Sequence, residues 1–290
     1  MEQRKLMLPA FHGVFGLDPG ERLDLLRERL SAMLAFGDRP ISLLPPPPGP
    51  LATVLERRGP FAGFLRLQEE AERDDILSML LDARHEDESP MSAQELRDEL
   101  MTLLVAGHET TASTLAWTFE RLVRLPTVLA RLTEEIAGSD GDAYITATVQ
   151  EALRRRPVLP NAAPRLVKQP LEVGGWRYPT DVCLVPNAYL LHHDREIHAD
   201  PYSFRPERFL EEPPGTYTWI PFGGGRRRCI GASFAMLEMK IVIRSMLAAQ
   251  AVEPVAPRPE RARRRNITIT PEAGSRVTLS APQREPVPSG

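Results

Sequence analysis

The chain has 290 residues, 42% of them apolar and 26% charged, with a formal net charge of −3. That composition is globular and large enough to bury a substantial core, and the mild acidity argues against a nucleic-acid binder. Two cysteines, Cys183 and Cys229, are too few for a disulfide framework and indicate a reducing compartment.

The first residues lead into a short apolar stretch broken by Pro9, without a small-residue cleavage site, so no signal peptide is expected. No apolar run approaches the ~18 residues of a membrane span. The expectation is a cytoplasmic protein with no membrane contact. Residues 4–11 read as the end of a helix closed by Pro9, and residues 18–36 as an amphipathic helix with Leu23, Leu26, Leu30 and Leu34 on one face. The proline tract at 45–50 predicts a loop or stiff spacer. Residues 61–84 are helical in pattern, in one or two pieces, and 86–90 is a polar break.

Ser92-Ala93-Gln94-Glu95 is a capping box. The helix it starts can run to Arg124, where Pro126 forbids continuation. It would be about 32 residues long, roughly 48 Å at 1.5 Å per residue. Leu96, Leu100, Leu103, Leu104, Thr111, Leu115, Phe119 and Leu122 share a broad face of it. In its middle, Ala106-Gly107-His108-Glu109-Thr110-Thr111 breaks the helix rules, with a glycine costing ~1 kcal/mol and two β-branched threonines. Such local inconsistency inside a strong element points to a site, the alternative being a solvated Glu109.

Residues 126–137 form a further helix with proline at its first position and Gly138 as its stop. Residues 144–156 form another, ended by Pro157, with Glu151 and Arg154 three apart on one face. Taken alone, such a pair is a surface ion pair of little weight. Residues 171–173 and 176–178 flank Gly174-Gly175, a hairpin signal. Residues 180–185 continue as a strand, in which Cys183 reads as a small buried hydrophobe. Residues 267–270, a turn at 271–274, and Val277 with Leu279 read as a second hairpin. The polar, proline-rich tail at 283–290 is expected to be disordered.

The densest chemistry lies at Pro221-Phe222-Gly223-Gly224-Gly225-Arg226-Arg227-Arg228-Cys229-Ile230-Gly231, just before an apolar run with helical spacing at Phe234, Leu237, Ile241 and Met246. Glycines let backbone approach a bound group closely. A cysteine at a helix N-terminus meets free N–H groups and the helix dipole, which favour the thiolate. A thiolate flanked by fixed cations suits a soft metal with anionic substituents, such as the iron and propionates of haem. A phosphate loop and a plain solvated arginine face are the competing readings.

The order Phe222-x-x-Gly225-x-Arg227-x-Cys229-x-Gly231 resembles the haem-binding loop of the cytochrome P-450 family, a ten-residue pattern with five fixed positions. Residues 106–111 are similar to that family's oxygen-activating motif, Glu151-Ala152-Leu153-Arg154 to its Glu-x-x-Arg motif, and Pro206-Glu207-Arg208-Phe209 to the segment that supplies a third partner. From 92 to 279 the resemblance is continuous. It implies a mainly α fold with small β-sheets (α+β), in one haem-thiolate domain over 1–282, and a b-type haem (iron protoporphyrin IX) as cofactor. By the same resemblance Cys229 is the axial ligand, Arg227, Arg165 and Arg4 reach propionates, Phe222 packs beside the thiolate and Gly231 completes the loop. Ala106 and Gly107 make room over the haem face, Glu109 and Thr110 are the acid–alcohol pair, and Glu151, Arg154 and Arg208 form a buried charged scaffold. His108 occupies a variable slot.

Before residue 92 the chain departs from the family pattern. Arg4 fits a propionate-binding helix, but the tryptophan usual four residues earlier would precede Met1. The expectation is a fold lacking the family's N-terminal sheet and some lid helices, with 13–16 bridging a lost segment and 59–71 abbreviated. The implied activity is monooxygenation: one atom of O2 inserted into a small lipophilic substrate, with electrons from a ferredoxin-type or other soluble donor, by a monomer. A peroxide-driven oxygenase and a non-catalytic or degenerate haem-binding protein are the alternatives.

Overall fold

A computed structural model describes residues 76–138 and 141–281. The expectations for 4–11, 18–36, 45–50, residues 61–75 and 283–290, Arg4 among them, lie outside the described residues. The chain divides into two units at Glu109 and Thr110.

In the first unit, helix α1 (Ile76–Asp82) leads to a turn closed by a bridge between Arg84 and Pro90. The long helix α2 (Ala93–Leu122) follows, 30 residues with the expected reciprocal cap. Ser92 N–H donates to Glu95 Oε2 at 2.8 Å, and Glu95 N–H donates to Ser92 Oγ at 3.2 Å. Its first half buries only Leu96, Leu100 and Leu104, spaced four apart.

Past Thr110, α2 enters the second unit, and Thr111, Thr114, Leu115, Trp117, Thr118, Phe119 and Leu122 are all buried. Two of the threonine hydroxyls there are satisfied within the helix: Thr114 Oγ1 donates to Thr110 O at 2.9 Å and Thr118 Oγ1 to Thr114 O at 2.8 Å. Trp117 Nε1 donates to Ile269 O at 3.0 Å, anchoring α2 to the C-terminal strands. The helix proper stops two residues before Arg124, in a tighter last turn where Arg124 N–H donates to Arg121 O.

Helices α3 (Pro126–Ala137) and α4 (Ala143–Arg155) are a stacked pair, each with a pronounced apolar face. Asp142 does not cap α4. The Glu135 carboxylate of α3 does so instead, accepting from Tyr144 N–H at 2.6 Å and Ile145 N–H at 2.9 Å. Strands β1 (Arg165–Leu166), β2 (Leu171–Val173), β3 (Trp176–Tyr178) and β4 (Cys183–Leu184) follow. The β2–β3 hairpin turns at Gly174 and Gly175 with φ of +59° and +77°, as the two-residue turn requires. The strand expected over 180–185 shrinks to two residues paired with β1, and Asp181 is left-handed at φ +67°. Cys183 is exposed, not buried as its apolar neighbours suggested.

Short helices α5 (Ala188–His192) and α6 (Arg208–Glu211) and a single 3-10 turn (Gly225–Arg227) lead to α7 (Ala232–Ala249), which packs on α3 and α4. Four more strands follow: β5 (Ala251–Pro254), β6 (Ala262–Arg265), β7 (Thr268–Pro271) and β8 (Val277–Ser280). The expected hairpin between 267–270 and 277–279 does not form. Instead β7 pairs with β6 across a turn at Asn266-Ile267, where Asn266 has φ +52°, and β8 pairs with β5. The asparagine tolerates that left-handed turn, and the arginine run before it becomes an exposed strand.

Candidate functional site

The loop between α6 and α7 presents the cysteine. Gly223 and Gly225 sit at φ +69° and +63°, a conformation that side chains disfavour. They fold the backbone back so that Cys229 N–H donates to Phe222 O at 2.9 Å. Phe222, half-buried, stacks edge-on against Trp219 at 6.0 Å between centroids, fixing the base of the loop beside the cysteine. Cys229 is an exposed free thiol two residues before Gly231, the first cap of α7. A Cβ built on Gly231 would lie 3.9 Å from its sulfur, an ordinary contact, so a small side chain would fit there. Arg226, Arg227 and Arg228 are exposed, and none of their guanidinium groups has a hydrogen bond or ion pair among the described residues. An accessible soft donor ringed by uncommitted guanidinium groups matches haem, a thiophilic iron carrying two carboxylates.

Behind this loop lies the charged scaffold. Glu151 and Arg154 are fully buried, and Arg208 is nearly so. Arg154 grips Glu151 through Nε and Nη2 at 2.7 and 2.9 Å, and Arg208 Nε approaches Glu151 Oε2 at 3.1 Å. The remaining Glu151 demand is met by Arg205 N–H at 2.8 Å. Arg154 also donates to the carbonyls of His192, Pro201 and Ser203, and Arg208 to that of Ala199. The expected three residues are thus together, on α4 and α6.

Arg165 starts β1 as expected, half-buried, with Nη1 donating to Ala163 O and Pro164 O. On α2, Glu109 and Thr110 are neighbours, both half-buried, whereas Ala106 and Gly107 are exposed. Among the described residues nothing lies within 4 Å of a Cβ built on Gly107.

Several residues that hold the loop escaped the sequence reading. His192 is fully buried and its Nε2 accepts from Ile220 N–H at 2.8 Å. Trp219 Nε1 donates to Gln150 O at 3.2 Å, and His198 Nε2 lies 3.3 Å from Thr218 O. Histidines at and beyond the end of a short helix carry no spacing signal that distinguishes them from surface polarity. The Glu120 cluster was also missed: this buried carboxylate accepts from Arg121 and Arg124 at 2.5 and 2.7 Å. Burial pushes its pKa up, but the two guanidinium groups prevail and hold it below the ordinary value.

These features define a mainly α protein with small sheets, whose exposed cysteine loop is held by a buried Glu–Arg–Arg scaffold. The sequence profile of the family "Cytochrome P-450" matches residues 65–275. The chain belongs to the cytochrome P-450 family. It is 44% identical over 206 residues to cytochrome P-450 137 of Mycobacterium tuberculosis, itself provisionally assigned, covering 71% of this chain and 43% of that protein. It is 36% identical over 280 residues to the likewise provisional cytochrome P-450 138 of Mycobacterium bovis, covering 92% of this chain and 63% of that one. The chain therefore spans about half the length of the curated relatives it matches. Among solved structures, the retinoic acid-bound cyanobacterial CYP120A1 superposes with a TM-score of 0.81 at 23% identity, over 96% of this chain and 68% of that one. That likeness establishes the fold. No helix among the described residues is long and apolar enough to cross a membrane.

Proposed function

We propose that the chain is a haem-dependent monooxygenase acting on a small lipophilic substrate. The observation that carries the reading is the glycine-shaped loop that offers the Cys229 sulfur beside three uncommitted arginines. When bound, a b-type haem would supply the redox chemistry: substrate, O2, two electrons from a soluble ferredoxin-type donor and two protons give the substrate with one oxygen atom inserted and one water. The chain's own groups provide position and electrostatics. Cys229 holds the iron as its thiolate, with the peptide N–H of the loop already committed to Phe222 O. Arg227, and Arg165 from β1, would neutralise the propionates, and Phe222 would pack beside the thiolate. Glu109 and Thr110, adjacent on α2, hold and pass protons at a carboxylate and a hydroxyl. Ala106 and Gly107 keep that stretch of helix small. Glu151, Arg154 and Arg208 take no chemical part and fix the scaffold from which the loop hangs.

The absorption spectrum of the reduced, carbon monoxide-treated protein tests this. A strongly red-shifted Soret band is expected, and Cys229→Ala should abolish it. A histidine-like, unshifted band in the parent protein would refute the ligation. Thr110→Ala should leave the band in place while diverting electrons into hydrogen peroxide. Unchanged product per electron in that variant would remove the proton-handling role.

A further inference from the structure

His192 joins the charged scaffold to the cysteine loop, and nothing in the proposed chemistry uses it. It closes α5 with no solvent exposure. Its carbonyl accepts from Arg154 Nη1 at 2.6 Å, and its ring Nε2 accepts from Ile220 N–H at 2.8 Å. A backbone amide can only donate, so Nε2 carries a lone pair and the neutral ring bears its proton on Nδ1. Nδ1 has no hydrogen-bond partner among the described residues. A buried unpaired donor is costly, and any apolar residue would avoid the cost. What an apolar residue could not do is accept from Ile220, two positions before the Phe222 carbonyl that receives Cys229 N–H.

We propose that His192 is a positioning residue that fixes the Phe222–Gly231 loop, and with it the Cys229 sulfur, to the Glu151–Arg154–Arg208 scaffold. The groups facing it support an acceptor that stays neutral. Burial, then His198 (6.4 Å between ring centroids), Arg154 and His193, hold its pKa down at about 3. Trp219 and His198 secure the neighbouring turns, but among the described residues only His192 bonds both the scaffold arginine and the segment that enters the loop. The inference rests on the haem-thiolate reading for its purpose, though the link itself is independent of haem.

Two nearly isosteric variants isolate the acceptor. His192→Gln keeps an acceptor oxygen near the Nε2 position, and His192→Met removes it. Hydrogen exchange in the haem-free chain is the first readout. His192→Met should speed exchange over residues 218–229 on the order of tenfold, leave residues 126–137 unchanged, and be reversed by His192→Gln. The second readout is the reduced carbonyl spectrum, in which Met should shift intensity from the red-shifted to the unshifted band and Gln should restore it. Equal exchange over 218–229 in parent and Met, or no difference between Gln and Met, overturns the proposal. Should His192→Met fail to fold, the parent alone decides: an Ile220 amide as protected as those of α4 supports the link, and a fast-exchanging one overturns it. A parent that takes up no haem would overturn the functional reading while leaving the exchange test intact.

Discussion

Arg154 commits its guanidinium to five contacts, two to Glu151 and one each to the carbonyls of His192, Pro201 and Ser203, with no exposure to water. Removing it leaves Glu151 buried with one oblique cation in Arg208 and the Arg205 N–H, and strips three carbonyls of their donor. Breaking a buried ion pair from one side typically costs 3–5 kcal/mol, comparable with the ~5–15 kcal/mol that hold a domain together. Arg154→Ala should therefore yield insoluble protein or protein that retains no haem. Arg154→Lys should fare little better, because an ammonium cannot supply the planar fork. The Arg205–Glu211 pair offers the control: similar in length at 3.0 Å, it is about half exposed on both sides and worth at most about 1 kcal/mol. Soluble yield and haem content of the three variants, Arg154→Ala, Arg154→Lys and Arg205→Ala, check this; a well-folded, haem-replete Arg154→Ala would sink it. The i, i+3 spacing of Glu151 and Arg154 was legible in the sequence. Their burial was not, since the same spacing occurs on any solvated helix face, and only the resemblance linked them to Arg208.

At the scale of elements, α7 shows where pattern reading stops. Its existence follows from an apolar run, but that run is nearly apolar all round, so periodicity does not choose a face. Phe234, Leu237 and Ile241, which suggested the helix, are exposed, while Met239, Val242, Ile243 and Met246 are buried. Glu238 lies on the buried face, 4% exposed, with Oε1 lacking a partner among the described residues. Burial alone raises its pKa from 4.5 to about 7. Folding therefore binds a proton that the unfolded chain has released between those two values, so this group makes stability fall as pH rises from 4.5 to 7. The full loss above pH 7 is on the order of 3 kcal/mol. Glu238→Gln should be little changed near pH 4.5 and more stable than the parent at pH 8, as read from denaturant midpoints. Equal midpoints at pH 8 would mean that Glu238 finds water or a cation. The C-terminal strands failed for a different reason: β7 has a partner on either side in sequence, and the arginine-rich β6 carried no strand pattern to reveal that it would win.

Across the whole molecule, the legible parts are those with strong local chemistry: the Ser92 capping box, the Gly174-Gly175 turn, the proline-bounded helices and the cysteine loop. What escaped are long-range polar contacts, such as Trp117 to Ile269 and His192 to Ile220, which depend on the fold being complete. The histidines in that set give the protein a testable acid response. Burial is the leading cause for all three of His192, His193 and His198, pushing the first down to about 3, the second to about 4, and lowering the third. Unfolded, each takes a proton near pH 6.5. Below that pH the unfolded chain binds protons that the native chain refuses, so stability is present above 6.5 and is lost as pH falls toward 4. Glu238 acts in the opposite sense over nearly the same window. Near pH 5.5, His192 and His193 favour the unfolded chain by about two protons and Glu238 favours the native one by about one, leaving a slope of roughly +1.4 kcal/mol per pH unit. Carboxylates held below their ordinary values by partners, Glu120 and Asp142 for example, add to this only below about pH 4.5. The parent should therefore lose stability on acidification from pH 6.5 to 4.5, and Glu238→Gln, freed of the opposing proton, should lose it about twice as steeply. Urea midpoints at half-unit pH steps give both slopes. A flat parent profile over this window would show that the histidines are not neutral in the folded chain, and an unchanged slope in Glu238→Gln would show that its carboxyl titrates like an exposed one.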